Sequence, residues 1–309
     1  MLRSSLLLAS RSATIRRFVE HNPLTQRVVG RFVAGTGVDD ALNTAAELVH
    51  SGLRVSLGHL GEDITEVAQV STTVQAYESV LEALAEAGLA AAVEVSVKLS
   101  ALGQSLRSDG ERVATDAAYR ICRAAGTAGT TVTLDMEDHT TVDSTLGILR
   151  TLRADFPWVG AVLQSYLRRT ETDCAELAAE GTRVRLCKGA YQEPESVAFR
   201  SKNAVDHSYV RCLRTLMASS AYPMIATHDP RMIAIAGTLA AEHGRGPDEY
   251  EFQMLHGVRP DEHLRLARAG HTVRVYVPYG DDWYPYFMRR LAERPANVGF
   301  FLRSVTTRR

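Results

Sequence analysis

Polar side chains close most of the short apolar runs in this chain. Lys98 ends VEVSVK, Asp135 and Glu137 end TVTLDMED, and Gln164 ends AVLQ. Arg185 and Lys188 lie in RVRLCKGAY, Thr227 and His228 in MIATHD, and Tyr276 in VRVYVPYG. Taken singly, a lysine or aspartate at a strand end is an ordinary structural ion pair, and a histidine there is an ordinary hydrogen-bonding residue. Brought to one rim, the same residues would surround a common space with cations, a carboxylate, an amide and a phenol, which is what a preformed binding site requires. A second cluster stands near the end of the chain in YPYFMRRLAE. On a helix, Tyr286 and Arg289 are three residues apart and Arg289 and Glu293 four, so they share a face. Arg290 points about 100° away from Arg289, yet both stems are long enough to reach a ligand above the helix. Two readings stay open: a solvated basic stripe held by Glu293, or paired guanidinium forks gripping a small carboxylate.

Several other chemistries find no support in the residue pattern. Cys122, Cys174, Cys187 and Cys212 form no CxxC pair, which fits a reducing cytoplasm, and the ten histidines include no HExxH. No metal is expected. A formal net charge of -1 supplies no field to hold nucleic acid. No run approaches the roughly 20 apolar residues that span a bilayer. The N-terminal segment carries Arg3, Arg11, Arg16 and Arg17 around a Leu-rich patch with no acidic residue before Glu20. Such a segment reads as a transit peptide, an interfacial helix making peripheral membrane contact, or a helix packed on the domain.

The elements that must position these side chains follow a simple alternation. Short β-rich runs, at 54–58, 92–99, 130–135, 159–164, 183–188, 224–228, 251–255 and 273–277, alternate with longer segments of helical period, among them 67–86, 111–125 and 205–217. Breakers such as Gly88, Gly129, Gly181, Pro223, Gly244 and Gly270 precede the expected strands. This order predicts parallel strands joined by helical crossovers, and about eight units over some 250 residues suggest ring closure rather than an open sheet. No GxGxxG follows the first strand, as a dinucleotide-binding sheet would prefer. Strands of such a barrel are buried on both faces, so polar residues are expected only at the rim, and the C-terminal rim is where barrel enzymes keep their sites. Residues 1–50 are expected to form an N-terminal helical arm and residues 51–309 the barrel domain.

The motifs VKLSALG, LDMEDH, VLQSYL, RLCKGAY, ATHD, FQMLHG, YVPYG and YFMRRLAE, in this order, resemble the proline dehydrogenase family. The resemblance runs from about His21 to near the end of the chain and matches the monofunctional form. It implies a distorted (βα)8 TIM-like barrel with a C-terminal helix over the barrel mouth and FAD as cofactor. It further implies oxidation of L-proline to Δ1-pyrroline-5-carboxylate, a membrane quinone as electron acceptor, and a separate pyrroline-5-carboxylate dehydrogenase downstream. Carried over by motif, Lys98, Arg289 and Arg290 would hold the substrate carboxylate, with Leu255, Tyr276 and Tyr286 around the ring. Asp135 and Arg185 match the family's active-site pair. Met136, Gln164, Arg185, Lys188, Gly189, Ala190, Thr227 and His228 match flavin-lining positions, Tyr191 a tyrosine near the cofactor, and Ser201 and Lys202 weaker cofactor positions. Cys187 stands where a β-branched aliphatic residue is expected.

Two rivals bear on the same residues. A lyase would use Lys98 or Lys188 as a Schiff-base amine. A sensor would hold an amino acid or flavin in the same mouth without turnover.

Overall fold

The computed structural model describes residues 28–61, 64 and 66–293. The basic segment with Arg3, Arg11, Arg16 and Arg17 lies outside the described residues. Eight parallel strands, β1 (Arg54–His59), β2 (Val93–Val97), β3 (Val132–Leu134), β4 (Gly160–Gln164), β5 (Arg183–Cys187), β6 (Tyr222–Ala226), β7 (Glu251–Leu255) and β8 (Val273–Tyr279), pair in chain order. The ring closes along the whole of β1, from Arg54 opposite Arg274 to His59 opposite Tyr279. Nine helices accompany the strands in the described residues. They are α1 (Val38–His50), α2 (Val67–Glu86), α3 (Gly110–Ala128), α4 (Val142–Arg153), α5 (Thr170–Ala179), α6 (Lys202–Met217), α7 (Pro230–Glu242), α8 (Pro260–Arg268) and α9 (Trp283–Glu293). None of them is long and apolar enough to cross a membrane. The alternation read from the sequence is therefore a (βα)8 barrel, with α9 following the last strand.

Local chemistry explains the boundaries. Gly129, with φ +78°, ends α3 in the left-handed conformation that glycine adopts without a steric penalty. Ser201 and Asp229 begin α6 and α7 as side-chain caps, accepting from the Ala204 and Arg231 amides, and Pro230 occupies the first turn of α7. Four strands, β2, β3, β5 and β6, end one or two residues earlier than their apolar runs suggest, so Lys98, Asp135, Lys188, Thr227 and His228 stand just beyond strand ends. The ladder nonetheless persists there: Asp135 N–H donates to Val97 O at 2.8 Å and Thr227 N–H to Gln253 O at 3.2 Å.

The barrel interior departs from expectation. Side chains alternate along a strand, so Glu94 and Ser96 of β2 share a face, as do Arg183 and Arg185 of β5, Glu251 and Gln253 of β7, and Arg274 and Tyr276 of β8. These faces point inward and meet as ion pairs rather than apolar layers. Arg185 and Arg183 engage Glu94 at 3.0 and 2.9 Å, and Arg274 engages Glu251 at 2.7 Å. The apolar core lies instead between strands and helices, where Leu57, Val95, Val97, Val275 and Val277 are fully buried against residues such as Leu81, Ile121 and Leu213. Ala41 and Ala45 of α1 belong to that core, so this helix packs on the barrel wall.

A second apolar cluster fixes α9. Val28, Val29, Phe32 and Val33 pack with Leu60, Val258, Trp283, Tyr284, Phe287 and Met288. Burying a side chain such as Phe287 stabilises this contact by roughly 2 kcal/mol. Ala34 N–H donates to Pro278 O, and Gly280 N–H to Gly35 O, both at 2.9 Å. Gly257 makes the approach feasible: at φ +73° it lies where an added Cβ would stand 1.8 Å from Arg31 O. Segment 28–35 thus braces the helix that carries Tyr286, Arg289 and Arg290.

Candidate active site

At the C-terminal ends of the strands lies a cavity of about 440 Å³. Every residue for which the sequence suggested a binding or catalytic role through the main motifs lines it. Lys98 comes from the β2 end, Asp135 and Met136 from β3, Gln164 from β4, and Arg185, Lys188, Gly189, Ala190 and Tyr191 from β5 and its loop. Thr227 and His228 follow β6, Leu255 ends β7, Tyr276 lies in β8, and Tyr286, Arg289 and Arg290 descend from α9. Ser201 and Lys202 are not among the lining residues; Ser201 caps α6, and Lys202 sits at the outer rim with 66% of its side chain exposed. Residues 291–293 are helical, but their side chains lie outside the described residues, so the expected Arg289–Glu293 contact does too.

The floor of the cavity is one connected network. Arg185 Nη1 donates to Asp135 Oδ1 at 2.9 Å and to Ser96 Oγ at 2.8 Å, while Ser96 donates to Asp135 Oδ1 at 2.7 Å. Arg185 Nη2 reaches down to Ser56 Oγ at 3.1 Å and Glu94 Oε1 at 3.0 Å. Tyr276 donates its hydroxyl to Asp135 Oδ2 at 3.3 Å, and its ring lies 5.6 Å from the Arg185 guanidinium. Burial, reinforced by the Asp135 charge, pushes the Tyr276 phenol well above its ordinary range, so it stays a donor. Asp135 and Arg185, paired by the resemblance, are in direct contact.

Beneath this floor, Glu94 anchors the stack. Burial alone would raise its pKa, but Arg274, Arg183 and Arg185 hold it down to about 2. The expectation that polar side chains stand only at the rim leaves out Glu94 and Ser96. The signal was the strict alternation in VEVSVK, which puts Glu94, Ser96 and Lys98 on one face.

The β5 and β6 side of the cavity is cationic but closely paired. Lys188 Nζ donates to Asp206 Oδ1 at 2.6 Å and to Asp229 Oδ2 at 3.0 Å. Although burial opposes it, Asp229 is held near 2, chiefly by Lys188 and the Arg231 amide. A lysine engaged by two carboxylates holds charge in place rather than attacking a carbonyl, which removes Lys188 as a Schiff-base amine. His228 Nε2 accepts from the Leu255 amide at 3.0 Å, so its ring proton belongs on Nδ1. Glu137, also on the lining, accepts from the Ser100 amide and hydroxyl at 3.0 and 2.7 Å. Cys187 lines the cavity as well, and burial pushes its thiol up to about 11, leaving it a small inert side chain.

Two polar atoms of lining residues are unusual. Gln164 donates through Nε2 to Met136 O at 3.1 Å, but its Oε1 is buried with no hydrogen-bond partner among the described residues. Arg185 Nε is likewise buried and without a partner among them. A buried polar atom left so costs roughly 1 to 3 kcal/mol, so a group that brings both a donor and an acceptor fits this wall. Among the described residues, no cluster of three or more His, Cys, Asp or Glu could hold a metal ion.

From α9, Arg289 and Arg290 also line the cavity, and the Arg290 guanidinium lies 5.2 Å from the Tyr286 ring centroid. Both arginines are half-buried, and a freely solvated stripe would not be.

Comparison with known proteins shows which family the chain resembles over its length. The chain is 36% identical over 305 residues to "Proline dehydrogenase 1" of Bacillus subtilis (strain 168), covering 99% of both chains. It is 41% identical over 277 residues to "Proline dehydrogenase" of Deinococcus radiodurans, covering 89% of both. Among solved structures, proline utilization A from Bdellovibrio bacteriovorus, described as inactivated by N-propargylglycine, superposes with a TM-score of 0.80 at 24% identity over 87% of this chain, and shares its fold. The matched region is 33% of that longer protein. A family model described as "Proline dehydrogenase" matches residues 41–303, and the chain belongs to the proline dehydrogenase family.

Proposed function

We propose that this proline dehydrogenase oxidises L-proline to Δ1-pyrroline-5-carboxylate with FAD bound along the β3 to β6 wall of the cavity. The observation that carries the reading is that Lys98, Arg289 and Arg290 meet Asp135, Arg185 and Tyr276 across one space. FAD, when bound, supplies the hydride acceptor from which electrons pass to a membrane quinone. Met136, Gln164, Arg185, Lys188, Gly189, Ala190, Thr227 and His228 would hold it. Gln164 Oε1 and Arg185 Nε offer the acceptor and donor that a heteroaromatic edge requires.

The rest is positioning and charge. Arg289, Arg290 and Lys98 grip the substrate carboxylate through charge-assisted bonds, each worth roughly 1.5 to 3 kcal/mol. Leu255, Tyr276 and Tyr286 pack around the ring and fix the reacting carbon. Hydride departure needs an unprotonated ring nitrogen, and the surrounding cations disfavour the ammonium form. Asp135 balances Arg185 and orients the Tyr276 hydroxyl, an electrostatic role rather than proton abstraction. The product leaves for a separate pyrroline-5-carboxylate dehydrogenase, and the quinone is met by peripheral contact with a membrane.

An absorbance spectrum tests the reading. The purified protein should be yellow with bound FAD and should bleach when L-proline is added without oxygen. A protein that takes up FAD but neither bleaches nor reduces an artificial acceptor would be the sensor, not the enzyme.

A further inference from the structure

The loop between β5 and α6 carries Gly189, Ala190 and Tyr191 onto the cavity and then runs away from it. Its backbone is laced to the segment after β4. Tyr166 N–H donates to Lys188 O at 2.9 Å, Arg168 N–H to Val197 O at 2.9 Å, and Phe199 N–H to Tyr166 O at 2.7 Å. Two residues beyond Tyr191 stands Glu193, a carboxylate only 5% exposed that does not touch the cavity. Its Oε1 accepts from the His139 amide at 3.0 Å and from the Tyr166 hydroxyl at 3.2 Å, and its Oε2 pairs with His139 Nδ1.

His139 belongs to a loop that also lines the cavity, and Tyr166 stands two residues beyond the lining residue that ends β4. His139 follows Asp135, Met136 and Glu137 after β3, and Tyr166 follows Gln164 after β4. The Tyr166 ring in turn lies against Gly189, where φ is +100° and an added Cβ would stand 2.2 Å from the ring. One buried carboxylate therefore ties together the β3, β4 and β5 loops, three successive parts of the wall assigned above to the flavin. A buried charge is retained at such a place only when its partners satisfy it, and these partners do nothing else that the mechanism uses.

We infer that Glu193 is a positioning residue that latches the β5 loop to the β3 and β4 loops and so fixes the wall from Lys188 to Tyr191. The substrate clamp on α9 is held by its packing against segment 28–35, so the latch acts chiefly on the cofactor side. This inference rests on the proposed flavin site, but the latch can be read without flavin.

The test compares Glu193→Ala, Glu193→Gln and Tyr166→Phe with the unmodified full-length protein. Hydrogen exchange on the apoprotein should show faster exchange of amides 189–199 in Glu193→Ala, with β-strand amides unchanged. FAD titration should show binding weakened roughly tenfold to a hundredfold, the size expected for losing bonds to a buried charge. KM for L-proline in FAD-saturated enzyme should stay within about twofold, as expected where no substrate-binding contact is lost. Glu193→Gln, which keeps the one oxygen that accepts from both the His139 amide and the Tyr166 hydroxyl, should recover most of the affinity. Tyr166→Phe, which removes one bond and keeps the ring against Gly189, should fall between and guards against a Glu193→Ala protein that does not fold. Unchanged exchange at 189–199 in both Glu193→Ala and Tyr166→Phe would overturn the latch. So would a rise in KM for L-proline as large as the loss of FAD affinity. If the unmodified protein bound no FAD, the flavin reading would fail by itself, and the exchange comparison would still decide whether the latch exists.

Discussion

Replacing Glu94 by glutamine should damage stability and catalysis together, although Glu94 lies below the cavity and does not line it. Its carboxyl sits at about 2 rather than the ordinary 4.5, because Arg274, Arg183 and Arg185 outweigh the burial that opposes ionisation. A depression of that size corresponds to roughly 3 kcal/mol of folded-state stabilisation, at 1.36 kcal/mol per pH unit. Breaking a buried ion pair by removing one partner costs about 3 to 5 kcal/mol, so two independent routes give the same scale. The group's folded pKa is depressed, so this stability is fully present above pH 4.5 and is lost as pH falls towards 2. Urea unfolding of Glu94→Gln and the unmodified protein at pH 7 and pH 3 checks the claim: the gap should be large at pH 7 and should narrow at pH 3. Turnover should fall as well, since Glu94 holds Arg185 Nη2 at 3.0 Å and thereby fixes the guanidinium that meets Asp135. A stability loss under about 0.5 kcal/mol at pH 7, the scale of an ordinary surface substitution, would refute the reasoning.

Other perturbations reach different parts of the account. Asp135→Ala should reduce kcat by at least about tenfold while FAD content stays close to native, because it removes a partner of Arg185 and Tyr276 while Lys188 and His228 keep their own partners in Asp206, Asp229 and the Leu255 amide. Gly257→Ala should cost at least roughly 1 to 2 kcal/mol from backbone conformation alone. By displacing segment 28–35 from α9, it should also raise KM for L-proline more than it weakens FAD binding. Cys187 should react with iodoacetamide at neutral pH roughly a hundredfold more slowly than an ordinary thiol, since its pKa is pushed from 9.0 to about 11. Mass spectrometry of the labelled native and unfolded protein would reveal any faster reaction.

The (βα)8 architecture is legible because each level of the sequence agrees with the next. Apolar β-rich runs alternate with helical periods, and residues such as Gly129 fall where a helix must stop. The rim residues are legible because a polar side chain at the end of a buried strand needs a reason to be there. The charged barrel axis is not read so easily. A rule that parallel strands are apolar on both faces hides Glu94, Arg183, Glu251 and Arg274, even though their period of two marks an inward face. Glu193 and segment 28–35 leave no local trace at all. Glu193 meets His139 across 54 residues, and Phe32 meets Phe287 between the two ends of the described chain, at a ring-centroid distance of 6.2 Å. Pairings of that kind are created by ring closure and are not encoded in any periodic pattern.

The central claim is that cationic side chains from distant parts of the chain grip a cyclic amino acid by its carboxylate. It is tested most directly by comparing kcat/KM for L-proline and L-prolinamide in the unmodified enzyme, Arg289→Met and Arg290→Met. The unmodified enzyme should favour L-proline strongly, and each arginine variant should shrink that preference roughly tenfold to a hundredfold by losing activity on L-proline alone. An unchanged preference in both variants would contradict the clamp.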